Sequence, residues 1–172
     1  MALTLIKEDG SGNANANTYA DVADGDAYHE GHLYGSAWTV ASADQKSVAL
    51  VMATRLIDAE YQFNGLRTVM TQALQWPRQE CPSPDDEDVL SEDAVPAAVV
   101  QATCELAREL LIADRTAAPA GEGISYYNNA GVQTGYDKSD TRPVIPAVVQ
   151  AMLAKLGALI KTKSGAVKLV RT

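Results

Sequence analysis

The amino-acid sequence predicts a mainly α subunit: a four-helix bundle-like fold with a long loop carrying a β-hairpin insertion, and short terminal strands. Three observations predict it. Apolar residues recur at helical spacing in four segments, start signals open those segments, and one stretch rich in Pro, Gly, Asn and Tyr, residues 116–142, breaks the pattern. With 172 residues, 47% hydrophobic and 21% charged, the chain is long enough to bury a core. It is read as one domain, with a helical core about 18–163, a hairpin loop about 116–142 and a C-terminal docking tail about 164–172.

Residues 2–7 alternate and are rich in Leu and Ile, which predicts a short strand, and Asp9 to Asn17 forms a polar, turn-rich loop. Asp21 with Asp24 makes a variant capping box for a helix over about 22–34, from which Tyr28 packs inward. Gly31 and Gly35 weaken that helix, and Trp38 follows as a large apolar anchor. Ser42 and Gln45 form a clearer box, opening a helix over about 43–62 with Val48, Met52, Leu56 and Ala59 on its inner face beside Ala49 and Ile57. After Gly65 a short helical piece over about 71–75 ends at Trp76-Pro77, because proline pushes the preceding residue out of the helical region.

Cys81 to Asp88 reads as an exposed acidic loop. Pro96 starts a helix running to about Arg115, with Val99, Thr103, Leu106 and Leu110 in a stripe beside Val100, Ala107 and Leu111. Residues 124–127 and 132–136 then flank Asn128-Asn-Ala-Gly131 as the arms of a hairpin. The last helix runs from Ala147 to about Lys163, with Val149, Met152, Leu153, Leu156 and Ile160 on one side. Gly165 ends it before a strand-like Ala166 to Val170.

Charge is split along the chain. Positions 1–140 hold all 22 acidic residues and 8 of the 14 basic ones, a net of −14, whereas positions 141–172 hold six basic residues and no acid. One molecule thus carries two complementary surfaces, which favours head-to-tail association of like copies; a solvated acidic body with a snorkelling basic helix accounts for the same pattern. Neither reading has the whole surface gripping DNA. No stretch reaches the roughly 18 apolar residues of a membrane span, so no membrane partner is expected. Cys81 and Cys104 lack the spacing of a disulfide framework or zinc site, and both are expected as reduced thiols, with Cys104 buried on a helix.

Candidate chemistry is sparse. His29 and His32 stand at i and i+3, a spacing able to meet one metal, but no third ligand lies nearby in sequence, so helix-surface histidines are expected. Asp85, Asp86, Glu87 and Asp88 lack the alternation and central glycine of a calcium loop. Gly10-Ser-Gly12 is a fragment of a dinucleotide motif without its strand, helix and third glycine, and no nucleotide loop, nucleophile elbow or HExxH pattern occurs. No catalytic residue, cofactor or metal is assigned, and the chain is not read as an enzyme. The aromatics from Tyr19 to Trp76 sit in an acidic segment, which favours core and subunit-contact roles over base stacking. For Arg55, an i+3 pair with Asp58 is expected.

The order Asp26-Ala-Tyr28, Trp38, Ala49-Leu50, Ala53-Thr54-Arg55, Ile57-Asp58, Gly65, Gln72-Ala-Leu-Gln-Trp-Pro-Arg78, Val95-Pro96 and Ala102-Thr-Cys-Glu-Leu-Ala107 resembles the head-tail connector, or adaptor, proteins of long-tailed bacteriophages and prophages. The resemblance covers roughly residues 18–115 and makes Tyr28, Trp38, Asp58, Gly65, Trp76, Pro77 and Arg78 its anchors. It implies a structural virion protein in the neck, assembled in the host bacterial cytoplasm: a ring homo-oligomer, commonly a dodecamer, under the portal protein. That ring would extend the channel through which DNA passes without sequence-specific binding and would meet a downstream stopper or tail terminator. Docking on the portal or a neighbouring subunit would fall to Lys161, Lys163, Lys168, Leu169, Val170 and Arg171. Sequences of this kind are also grouped as DnaT-like single-stranded-DNA-binding proteins, the alternative function.

Overall fold

A computed structural model describes residues 3–85, 88–117, 126–129, 132–135 and 142–160. Helices α1 (Val22–Glu30), α2 (Ser36–Thr39) and α3 (Ala43–Glu60) lead into strands β1 (Tyr61–Phe63), β2 (Leu66–Arg67) and β3 (Arg78–Gln79). Helix α4 (Ala97–Ile112), the hairpin strands β4 (Tyr126–Asn129) and β5 (Val132–Gly135), helix α5 (Ala147–Leu153) and strand β6 (Gly157–Leu159) follow. This is a small mixed α/β domain, not the four-helix bundle-like fold that the apolar spacing suggested. Helices α1 and α5 are only nine and seven residues long, and among the described residues the strands form three two-stranded antiparallel sheets.

Both capping boxes form as the sequence signals. Asp21 accepts from the Asp24 N–H while Asp24 accepts from the Asp21 N–H, and Ser42 and Gln45 do the same for α3. The inner face of α3 is turned from the expected one: Ala49, Leu50, Ala53, Thr54 and Ile57 are buried, while Val48 is 56% exposed. Helix α4 is the centre of the molecule. It touches α1, α2, α3 and α5, so Glu105 and Arg108 are buried along with Val99, Ala102, Cys104 and Leu106.

Helix α5 stops at Leu153 although its apolar spacing continues to Ile160. The competing interaction is β6, which pairs with β1 so that Tyr61 faces Leu159 and Phe63 faces Gly157. Gly157 permits this approach, since a Cβ there would meet the Gln62 carbonyl. Two further local expectations also give way. Instead of a strand at residues 2–7, a single parallel bridge joins Lys7 to Thr18, and turns and bends replace the helical piece at 71–75. A hairpin forms, but Asn128 and Asn129, expected in its turn, belong to β4, so that Tyr126 pairs with Gly135, Asn128 with Gln133 and Asn129 with Val132. The strand expected at 166–170 lies outside the described residues.

Candidate functional site

The motif block closes on itself. Tyr19, wholly buried, donates its hydroxyl to Asp58 Oδ1 at 2.5 Å and accepts the N–H groups of Gln75 and Trp76 at 3.0 and 3.2 Å. Asp58 Oδ2 accepts the Gln75 N–H at 3.0 Å. Helix α3 thereby fixes the backbone just ahead of the cis Trp76–Pro77 peptide. Arg78 does the same for the chain after β1: it donates to the carbonyls of Phe63, Asn64, Gly65 and Gln75 and to Gln75 Oε1. Gly65 holds φ +71 with Gln79 and Cys81 against its Cα, a place no side chain fits. Gln72 adds donations to the carbonyls of Leu74 and Pro77.

The anchors Asp58, Gly65, Trp76, Pro77 and Arg78 therefore meet in one place, where the side chains of Asp58 and Arg78 are hydrogen-bonded and Trp76 Nε1 is buried without a hydrogen-bond partner. Tyr28 and Trp38 stand elsewhere. Trp38 is buried with Nε1 donating to Asp26 Oδ1 at 2.8 Å, and Tyr28 is half-buried against His29. The expected Arg55–Asp58 pair is absent because Asp58 turns inward while Arg55 stays exposed.

Burial pushes the Asp58 carboxyl up to about 6, although the bonds from Tyr19 and Gln75 and the charges of Arg67 and Arg78 pull the other way. A carboxyl whose native pKa lies above its unfolded value contributes stability that is full below about pH 4 and lost as pH rises through about 6, on the order of 3 kcal/mol. Urea midpoints across pH 4 to 7.5 should fall through this window relative to Asp58→Asn, in which every other carboxyl is retained. Parallel pH profiles for the two proteins would contradict this.

His29, expected at the surface, is buried, its Nε2 at 3.1 Å from the Cys104 carbonyl, and burial lowers its pKa. His32 Nε2 lies 3.4 Å from Glu105 Oε2, and Arg108 bonds to Glu105 and Glu109. Among the described residues no group of three or more His, Cys, Asp or Glu is placed to hold a metal ion. Both cysteines are buried free thiols, and burial pushes Cys104 up to about 12. The glycine turn at 10–12 is already filled by the protein's own anion: buried Glu8 accepts the N–H groups of Gly10, Gly12 and Asn13 at 2.8–3.0 Å.

Sequence reasoning missed Glu8, the hub role of Tyr19, and the buried Glu105–Arg108 pair. An acid two residues before a Gly-x-Gly turn was the available signal for Glu8. For Tyr19 there was none, since its partners lie 39 to 57 residues away.

Positive charge on the described surface is mostly neutralised. Lys7 pairs with Asp24 and Asp21, Lys46 with Asp26, Arg115 with Glu109, and Lys155 with Asp85. Arg55 and Arg67 are exposed with no hydrogen bond or ion pair among the described residues. The docking residues expected from the sequence, Lys161, Lys163, Lys168, Leu169, Val170 and Arg171, lie outside the described residues, as does Tyr136. Among the described residues no helix is long and apolar enough to cross a membrane.

No curated protein and no solved structure matches the chain significantly. The model of one family, described as "Putative DnaT-like ssDNA binding protein", matches residues 3–172. That match takes in the Tyr19–Asp58–Trp76 lock, the Arg78 hub and the basic C-terminal stretch alike, and the chain belongs to this family.

Proposed function

We propose that this protein binds single-stranded nucleic acid through its basic C-terminal stretch while the acidic body keeps the strand off the remainder of the surface. The family match across residues 3–172 carries the reading. The distribution of charge supports it. Cations on the described body are largely held in ion pairs, whereas residues 161–172 contain Lys161, Lys163, Lys168 and Arg171 and no acid. Tyr126, Tyr127 and Tyr136 supply rings on which bases stack, a sequence-tolerant contact.

With four phosphate contacts at about 0.7 counterions each, affinity should fall about fiftyfold between 50 and 200 mM salt. Fluorescence anisotropy with a labelled oligothymidylate measures this. Replacing Lys161, Lys163, Lys168 and Arg171 by alanine should abolish the binding; undiminished affinity in that variant would refute the reading.

A second reading has one observation in its favour. The described body is acidic, with nine basic against seventeen acidic side chains, and it leaves Leu33, Tyr34, Val40 and Met70 more than 70% exposed. An acidic surface that repels phosphates, with exposed apolar side chains for subunit contacts, suits a head-tail adaptor ring through which DNA slides in a virion neck, docked on a portal by the same tail. The oligonucleotide titration separates the two. A ring adaptor leaves the oligonucleotide free and decorates portal-bearing capsids in electron micrographs, attachment that should vanish on deleting residues 165–172.

A further inference from the structure

Helices α3 and α4 leave an open groove of about 500 Å³ along their outer side. Val48, Met52, Leu110 and Leu111 form its apolar floor, and Asp44 and Asp114 stand at its margin. We propose that the C-terminal segment of the same chain, around Val167 to Val170, lies in this groove. This holds whether the tail's other ligand is nucleic acid or a portal, because it depends only on the groove and on where the chain is heading.

Strand β6 runs antiparallel to β1, and its ladder continues to the last residue of α3, where the Ile160 N–H donates to the Glu60 carbonyl at 2.7 Å. The chain therefore enters residue 161 beside the C-terminal end of α3, travelling opposite to β1. Lys161 and Lys163 come first, and cations there complement the partial negative charge of a helix C-terminus. From Glu60 back to Val48 is twelve residues, about 18 Å along a helix axis. From Ile160 to Val167 is seven residues, about 23 Å when extended. The span fits.

Composition fits as well. Val167, Leu169 and Val170 match an apolar floor, and Lys168 and Arg171 among them match the margin set by Asp44 and Asp114. A tail held this way keeps its cations on carboxylates, so docking in the groove and contact with phosphates compete.

Disulfide trapping in the full-length protein tests this. Val48→Cys is combined with Leu169→Cys; a control places Glu30→Cys, exposed at the end of α1 and outside the groove, with the same tail cysteine. The native Cys81 and Cys104 are fully buried and do not compete. The expected result is a 48–169 bond within one chain, found by peptide mapping in material of monomer mobility. It should form at least about tenfold faster than the 30–169 bond, as a local gain in effective concentration requires. A linked dimer would assign the groove to a second copy and overturn the proposal. Equal rates for the two pairs, or no bond at position 48, would overturn it too. Failure here leaves the oligonucleotide titration untouched, so the two ideas fall separately.

Discussion

Arg78→Ala is expected to lower the stability of this protein by about 4 kcal/mol, because it strands four backbone carbonyls at once, one buried and three in part-buried bonds. The guanidinium is 5% exposed and reaches the carbonyls of Asn64 and Gly65 at 2.6 Å and Gln75 at 3.0 Å. Arg78→Lys should restore only part of the loss, since a single ammonium cannot span carbonyls on two segments as the planar fork does. Urea denaturation with an unchanged slope checks the magnitude. Were Arg78 a nucleic-acid contact, the alanine variant would keep its midpoint and lose only affinity, an outcome that excludes the structural role.

Trp38→Ala should cost about 3 to 5 kcal/mol, the usual range for removing a fully buried indole. The ring fills the space above Gly25, where a Cβ would collide with it, lies 5.0 Å from the His29 ring, and carries Lys46 Nζ 5.2 Å from its centroid. Its removal unseats α1 and α2 from α4 together. Trp38→Phe isolates the hydrogen bond to Asp26, worth about 1 kcal/mol, from the packing. For a domain of this size the alanine variant should melt about 10 °C lower. A shift of only a degree or two would mean that α1 and α2 are held by something other than this ring.

What was legible in the sequence was local. The Asp21–Asp24 and Ser42–Gln45 boxes, the start of α4 after Pro96 and the presence, though not the turn, of the β4–β5 hairpin each depend on residues within a few positions of one another. What was not legible was decided at a distance. Leu156 and Ile160 continue a helical stripe on paper, but the edge of Tyr61–Phe63, almost a hundred residues earlier, draws them into a ladder. The surface position of His29 failed for the same reason: α1 lies against α4, and the Cys104 carbonyl takes the imidazole. At the motif block the anchors were found but their work was not. The sequence pointed Asp58 to the wrong partner, Arg55, and offered none for Arg78, because the true partners are Tyr19 and backbone groups, which carry no residue signature.

The β1–β6 ladder has a consequence for how the polypeptide matures. Its two halves are separated by β2, β3, α4, β4, β5 and α5, so a nascent chain leaving the ribosome carries Tyr61–Phe63 with an open edge until Gly157–Leu159 has emerged. The clasp that covers the edge comes almost a hundred residues after β1, and a product truncated before Gly157 keeps that edge bare and liable to pair with another chain.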